Sequence, residues 1–79
     1  GNNDIYMSAC DVESNTSDGI KLTASSDDCL IFNSTIKSNG GYGVNIAALT
    51  CDNNIVGPNR YASNTSGTVQ DLGVGTILL

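Results

Sequence analysis

Val12-Glu13-Ser14-Asn15 returns 24 residues later as Ile36-Lys37-Ser38-Asn39 and, after a further 25, as Tyr61-Ala62-Ser63-Asn64. The same offsets link Ile20 to Val44 and Val69, Tyr6 to Leu30 and Ile55, and Met7 to Ile31 and Val56. They also relate the polar pairs Asn3-Asp4, Asp27-Asp28 and Asp52-Asn53. One extra residue between Ala47 and Cys51 accounts for the change of offset. The columns fade where Leu22 and Ile46 meet Asp71 or Leu72. Self-similarity at a fixed period of this length is the signature of a repeat architecture.

Each repeat contains three short apolar stretches separated by polar corners. The physical reading is an all-β solenoid, one coil per repeat, in which each strand pairs with its equivalent one coil on. Residues in a column then lie one above another at the strand spacing of about 4.8 Å. The whole of 1–79 reads as one segment, with coils over 1–24, 25–49 and 50–74 and the start of a fourth over 75–79. The expected inward columns are Tyr6, Leu30, Ile55; Val12, Ile36, Tyr61; and Ile20, Val44, Val69, with Leu22 and Ile46 beside the last. Ser14-Asn15, Ser38-Asn39 and Ser63-Asn64 form the expected structural ladder. Asn is expected to take the left-handed backbone at that corner, and its stacked amides to hydrogen-bond from coil to coil.

Asn15-Thr16-Ser17-Asp18-Gly19-Ile20-Lys21-Leu22 and Ser38-Asn39-Gly40-Gly41-Tyr42-Gly43-Val44-Asn45-Ile46 resemble the N-x-x-x-G-I-x-L coils of right-handed parallel β-helices. That superfamily, the pectate-lyase-like proteins, includes polysaccharide lyases and hydrolases and phage tailspike proteins. The resemblance covers nearly the whole chain. It implies a right-handed parallel β-helix, with Gly57-Pro58-Asn59-Arg60-Tyr61 and the residues after it resembling closing coils. The fold hosts many activities, so the resemblance implies no single one.

Composition supports the strand reading and removes several functions. Asn, Ser, Thr and Gly supply 35 of the 79 residues, while seven Ile, six Leu and five Val supply strand-forming apolar positions. Three basic residues stand against eight acidic ones, for a net charge of −5, which argues against a nucleic-acid surface. There is no His, so the usual proton shuttle and the commonest metal ligand are missing. No apolar run reaches the length of a membrane span.

The candidate acids are Asp4, Asp27, Asp28 and Asp52. Asp4 with Asp28, and Asp27 with Asp52, are expected to stack at one corner. Paired carboxylates of that kind serve glycoside hydrolysis. Alternatively Asp27, Asp28 and Asp52 supply oxygen ligands for Ca²⁺, the only cofactor the sequence suggests. A solvated turn is the plain alternative, since exposed like charges repel weakly in water. Asn15-Thr16-Ser17-Asp18, Asp27-Asp28-Cys29 and Gly41-Tyr42-Gly43 also resemble the NTD, DDC and GHG signatures of polygalacturonases. Tyr42 stands where that family has His, no Arg-x-Lys follows, and Asp18 and Asp28, only 10 apart, fall on different corners. Lys21 is expected to point outward beside Asn45, and Lys37 outward beside Glu13. Neither they nor Arg60 read as a lyase base. Cys10, Cys29 and Cys51 fall in different columns and read as buried thiols acting as small apolar residues. Asn15, Asn33 and Asn64 open Asn-x-Ser/Thr sequons, which a chain this rich in those residues carries by composition alone.

Three short coils leave both ends of a solenoid uncapped, so the chain is expected to be part of a longer helix or to associate with copies of itself, for instance as a homotrimer. The expected function is a structural segment of an extracellular or virion-surface protein of the tailspike or tail-fibre kind. It is not catalytic by itself, and it contacts polysaccharide through Tyr6, Tyr42 or an outward Asn ladder. The alternative is the terminal portion of a polysaccharide lyase or glycoside hydrolase whose active site lies on other coils.

Overall fold

A computed structural model describes residues 6–79. These contain ten short strands and no helix: β1 Tyr6–Met7, β2 Asp11–Glu13, β3 Ile20–Leu22, β4 Leu30–Ile31, β5 Thr35–Lys37, β6 Tyr42–Ile46, β7 Ile55–Val56, β8 Arg60–Ala62, β9 Gly67–Asp71 and β10 Ile77–Leu78. They form three parallel sheets, β1-β4-β7-β10, β2-β5-β8 and β3-β6-β9. The register follows the repeat: Val12 opposes Ile36 and Ile36 opposes Tyr61. Ile20 opposes Val44 and Val44 opposes Val69. The chain is a parallel β-solenoid of about three turns. Its columns are the ones that the 24- and 25-residue offsets define.

The core runs up the inside of the cylinder, with Leu22, Ile31, Ile36, Val44, Ile46 and Val56 buried and Met7, Val12, Ile20, Tyr61 and Val69 packed against them. One expected column faces the other way. Tyr6 is 70% exposed, Leu30 and Ile55 are only half-buried, and their neighbours Met7, Ile31 and Val56 point inward instead. A two-residue strand has too little alternation to reveal its buried face from sequence, because shifting by one position exchanges the faces. The preceding corner decides it. Asp28 takes a left-handed φ of 56°, Cys29 turns inward, and alternation then places Leu30 outside and Ile31 inside.

That corner is one of a set. Left-handed backbone falls at Ala9 and Asn33, at Ser14, Ser38 and Ser63, and at Asp28 and Asn53. In the ladder column the left-handed residue is therefore Ser (φ 62°, 56° and 55°), not the Asn that follows it. Asn is needed for the next position, inside the coil. There its side-chain oxygen accepts the backbone amide of the equivalent residue one coil back: Asn39 Oδ1 from Asn15 N at 3.2 Å and Asn64 Oδ1 from Asn39 N at 3.2 Å. The amides also join each other, from Asn15 Nδ2 to Asn39 Oδ1 and from Asn39 Nδ2 to Asn64 Oδ1, both at 2.9 Å. The other corners use the same device. Asn54 Oδ1 accepts from Cys29 N at 2.8 Å, Asn59 Oδ1 from Ser34 N at 3.0 Å, and Ser34 Oγ from Cys10 N at 3.3 Å. Turning the chain at a corner leaves a buried amide without a strand partner, and the next coil supplies the acceptor.

The ladder also explains the Gly of the repeat. A Cβ on Gly19 would stand 2.7 Å from Asn39 Nδ2 and from the Gly43 carbonyl, and one on Gly43 would stand 3.0 Å from Asn64 Nδ2. Side-chain amides fill the space that a methyl would need.

Candidate functional site

The outer face of β3-β6-β9 carries the one buried side-chain polar atom without a hydrogen bond among the described residues. Lys21 opposes Asn45, and Asn45 opposes Gln70, on the face opposite Val44 and Ile46. Asn45 is 9% exposed, and its Oδ1 has no partner. Its Nδ2 donates to Asp18 Oδ2 at 3.0 Å, which fixes the orientation of the amide. The other oxygen of Asp18 accepts from Tyr42 N at 2.7 Å. The hydrogen bond from Asn45 holds the Asp18 carboxyl below the usual carboxylate range. The bond from the Tyr42 amide and the charge of Lys21 add to this, and partial burial opposes it.

Tyr42 begins β6, three residues before Asn45. It opposes Gly67, whose φ of +141° suits glycine and whose missing Cβ leaves room for the ring: an added Cβ would stand 3.2 Å from Tyr42 Cε1. The outward column thus brings an ionised carboxylate, an ammonium and two side-chain amides to adjoining coils. Donors and acceptors of both kinds suit a ligand rich in hydroxyl groups better than a single charged one.

Sequence reading placed Lys21 beside Asn45 and singled out Tyr42 and Asp18 separately. It missed that Asp18 holds both Tyr42 and Asn45, and it passed over Gln70. The signal available was the alternation in Ile20-Lys21-Leu22, Val44-Asn45-Ile46 and Val69-Gln70-Asp71, whose middle residues share one outward column.

The acidic corner is arranged differently. Asp52 N donates to Asp27 Oδ1 at 2.9 Å and Asp28 N to Asp52 O at 3.0 Å, so these residues are tied together through backbone amides. Asp28 is exposed at its left-handed position, with Asn53 as its column partner, and Asp4 lies outside the described residues. Among the described residues no group of three or more His, Cys, Asp or Glu is placed to hold a metal ion. Asp18 and Asp28 stand on different corners, one before β3 and the other before β4. Lys37 reaches Glu13 at 3.6 Å, an exposed pair worth little to stability. No disulfide joins Cys10, Cys29 and Cys51. Cys51 donates to the Thr23 carbonyl at 2.9 Å. Arg60 lines a shallow groove of about 430 Å³ with Asn33, Ser34, Thr35, Pro58 and Asn59.

The chain matches no protein-family model, no curated protein and no solved structure.

Proposed function

We propose that this chain is a structural β-helical segment of an extracellular or virion-surface protein, which stacks on further coils or on copies of itself and contacts neutral glycan through the face around Asn45. The observation that carries the structural part is the last turn. Leu72, Val74, Ile77, Leu78 and Leu79 are 48–74% exposed there, and β8, β9 and β10 are the outermost strands of their sheets. Exposed apolar side chains beside open strand edges are a template for another coil. The resemblance of the N-x-x-x-G-I-x-L coils to pectate-lyase-like helices, tailspikes among them, supports the same reading. The outward column supports the glycan part, because Lys21, Gln70 and the Asp18 carboxylate beside Asn45 offer donors and acceptors together.

Light scattering over a range of concentrations tests the structural part, and a particle heavier than 8.1 kDa is expected, with a trimer the favoured state. A monomer that melts cooperatively above about 50 °C, within the range of self-sufficient domains, would overturn it. Titration with neutral oligosaccharides tests the contact, with binding lost in Asn45→Leu. Incubation with pectin, alginate or capsular polysaccharide, with and without Ca²⁺, separates the alternative. New reducing ends or unsaturated uronate would make the chain part of a polysaccharide-degrading enzyme.

A further inference from the structure

Three sequons of the same form occupy structurally different positions. Asn15-Thr16-Ser17 and Asn64-Thr65-Ser66 begin at ladder residues. Asn15 Nδ2 donates to Asn39 Oδ1 at 2.9 Å, and Asn64 Nδ2 donates to the Ile36 carbonyl at 3.0 Å. In both, the amide that a sugar would join is tied to the ladder, at Asn15 although that residue is exposed and at Asn64 in a half-buried one, while the hydroxyl-bearing Ser17 and Ser66 lie exposed outside. Asn33-Ser34-Thr35 is arranged the other way. Asn33 sits at a left-handed corner with φ 52°, is exposed, and its side chain makes no hydrogen bond among the described residues. Ser34 is 3% exposed and faces inward, so Asn33 and Thr35 flank it on the outside. Both line the 430 Å³ groove that continues over Pro58, Asn59 and Arg60. Asn33 and Thr35 therefore share one open surface, with room beside them for a first sugar ring.

We propose that Asn33 is the N-glycan acceptor of this chain, and that the fold withholds Asn15 and Asn64. The proposal rests on the extracellular reading for its biological setting, but its choice among the three positions comes from the geometry alone. In the reaction Asn33 Nδ2 attacks C1 of a diphosphate-linked sugar. An N–C bond forms, the C1–O bond to the diphosphate breaks, the diphosphate leaves with the electron pair, and one Nδ2 proton passes to the transferase's base. At Asn15 or Asn64 the same attack first requires the ladder amide to turn outward. Breaking one such hydrogen bond disfavours the reactive arrangement by on the order of tenfold.

The test uses the folded chain, a soluble N-glycosyltransferase and a nucleotide-diphosphate glucose, with occupancy of each position read by peptide mass spectrometry. Asn33 is expected to be modified on the order of tenfold faster than Asn15 or Asn64. Thr35→Ser gives all three sequons the same terminal hydroxyl residue, and the preference is expected to persist. Three short synthetic peptides, one per sequon and each ending in Ser, are expected to react at similar rates, since nothing holds their amides. Modification of Asn15 or Asn64 as fast as Asn33 on the folded chain overturns the proposal, as does an unmodified Asn33 or the same preference among the peptides. Localisation of the natural protein in the cytoplasm would remove the extracellular reading and leave the site choice intact.

Discussion

Ile31 and Leu78 stand in one column of the same sheet, two rungs apart, with Val56 between them. Ile31 is 2% exposed and Leu78 is 53% exposed. Neither hydrophobicity nor strand propensity separates them. Ile31 has Met7 on one side and Val56 on the other, whereas Leu78 lies on the outermost strand. Burial in a solenoid is thus a property of neighbouring coils more than of the residue, and stability should be concentrated in the middle turn.

Truncation at these two positions of the column gives the largest contrast. Ile31→Ala should cost about 3 kcal/mol, within the usual range for deleting a buried aliphatic side chain. For a chain of this size that lowers Tm by on the order of 15 °C. In the unassociated chain Leu78→Ala should cost about 1 kcal/mol or less, because half of its surface is already in water. Urea melts of both variants check the pair. Equal losses would break the comparison and mean that the last turn is covered in solution, as the proposed stacking requires, so the melts belong beside light scattering at the same concentrations.

The polar column offers the next contrast. Asn39 is 1% exposed and linked on both sides, whereas Asn15 is exposed and linked on one. Asn39→Ala removes the partner of Asn15 N and Asn15 Nδ2 and the bond that Asn39 Nδ2 gives the Val12 carbonyl at 3.3 Å, while Asn64 Oδ1 keeps only the backbone amide of residue 39. A loss of about 2–3 kcal/mol is expected, since unsatisfied buried groups cost more than the bonds contributed. Asn15→Ala should cost about 1 kcal/mol. Chemical denaturation of both variants reads the difference, and equal values would mean that the ladder gains nothing from its interior position.

The solenoid was legible because stacking forces equivalent residues to meet, so Val12, Ile36 and Tyr61 announce their contact through spacing alone. Corner chemistry was only half legible. Ser-Asn marked the turn, but which residue adopts positive φ depends on which side chain the next coil needs inside, and that is a three-dimensional requirement. The face of Tyr6, Leu30 and Ile55 was misread for a related reason, two residues being too few to carry a phase. The site around Asn45 was the least legible part. Asp18 precedes its strand and reaches two partners in the next coil, Tyr42 at a separation of 24 and Asn45 at 27, so only the first keeps the repeat.

Asp18 provides the smallest and most specific test, because it links that outer face to the coil below rather than to the interior. Its folded-state pKa is lowered, so its hydrogen bonds to Asn45 and Tyr42 add stability above the unfolded carboxylate value of about 3.9, and that stability is lost as pH falls through the folded value. Tm should therefore be flat, as far as this group is concerned, from pH 7 to about 5, and begin to fall below about 4. Asp18→Asn keeps the size, removes the charge and should flatten that part of the acid limb. It should also lower Tm slightly at pH 7, where the wild-type carboxylate is ionised. Thermal melts of both proteins between pH 7 and 2.5 measure the effect. If the acid limbs coincide, Asp18 does not hold the Tyr42–Asn45 face together in solution, and the outer face loses the anchor that distinguishes it from an ordinary solvated strand.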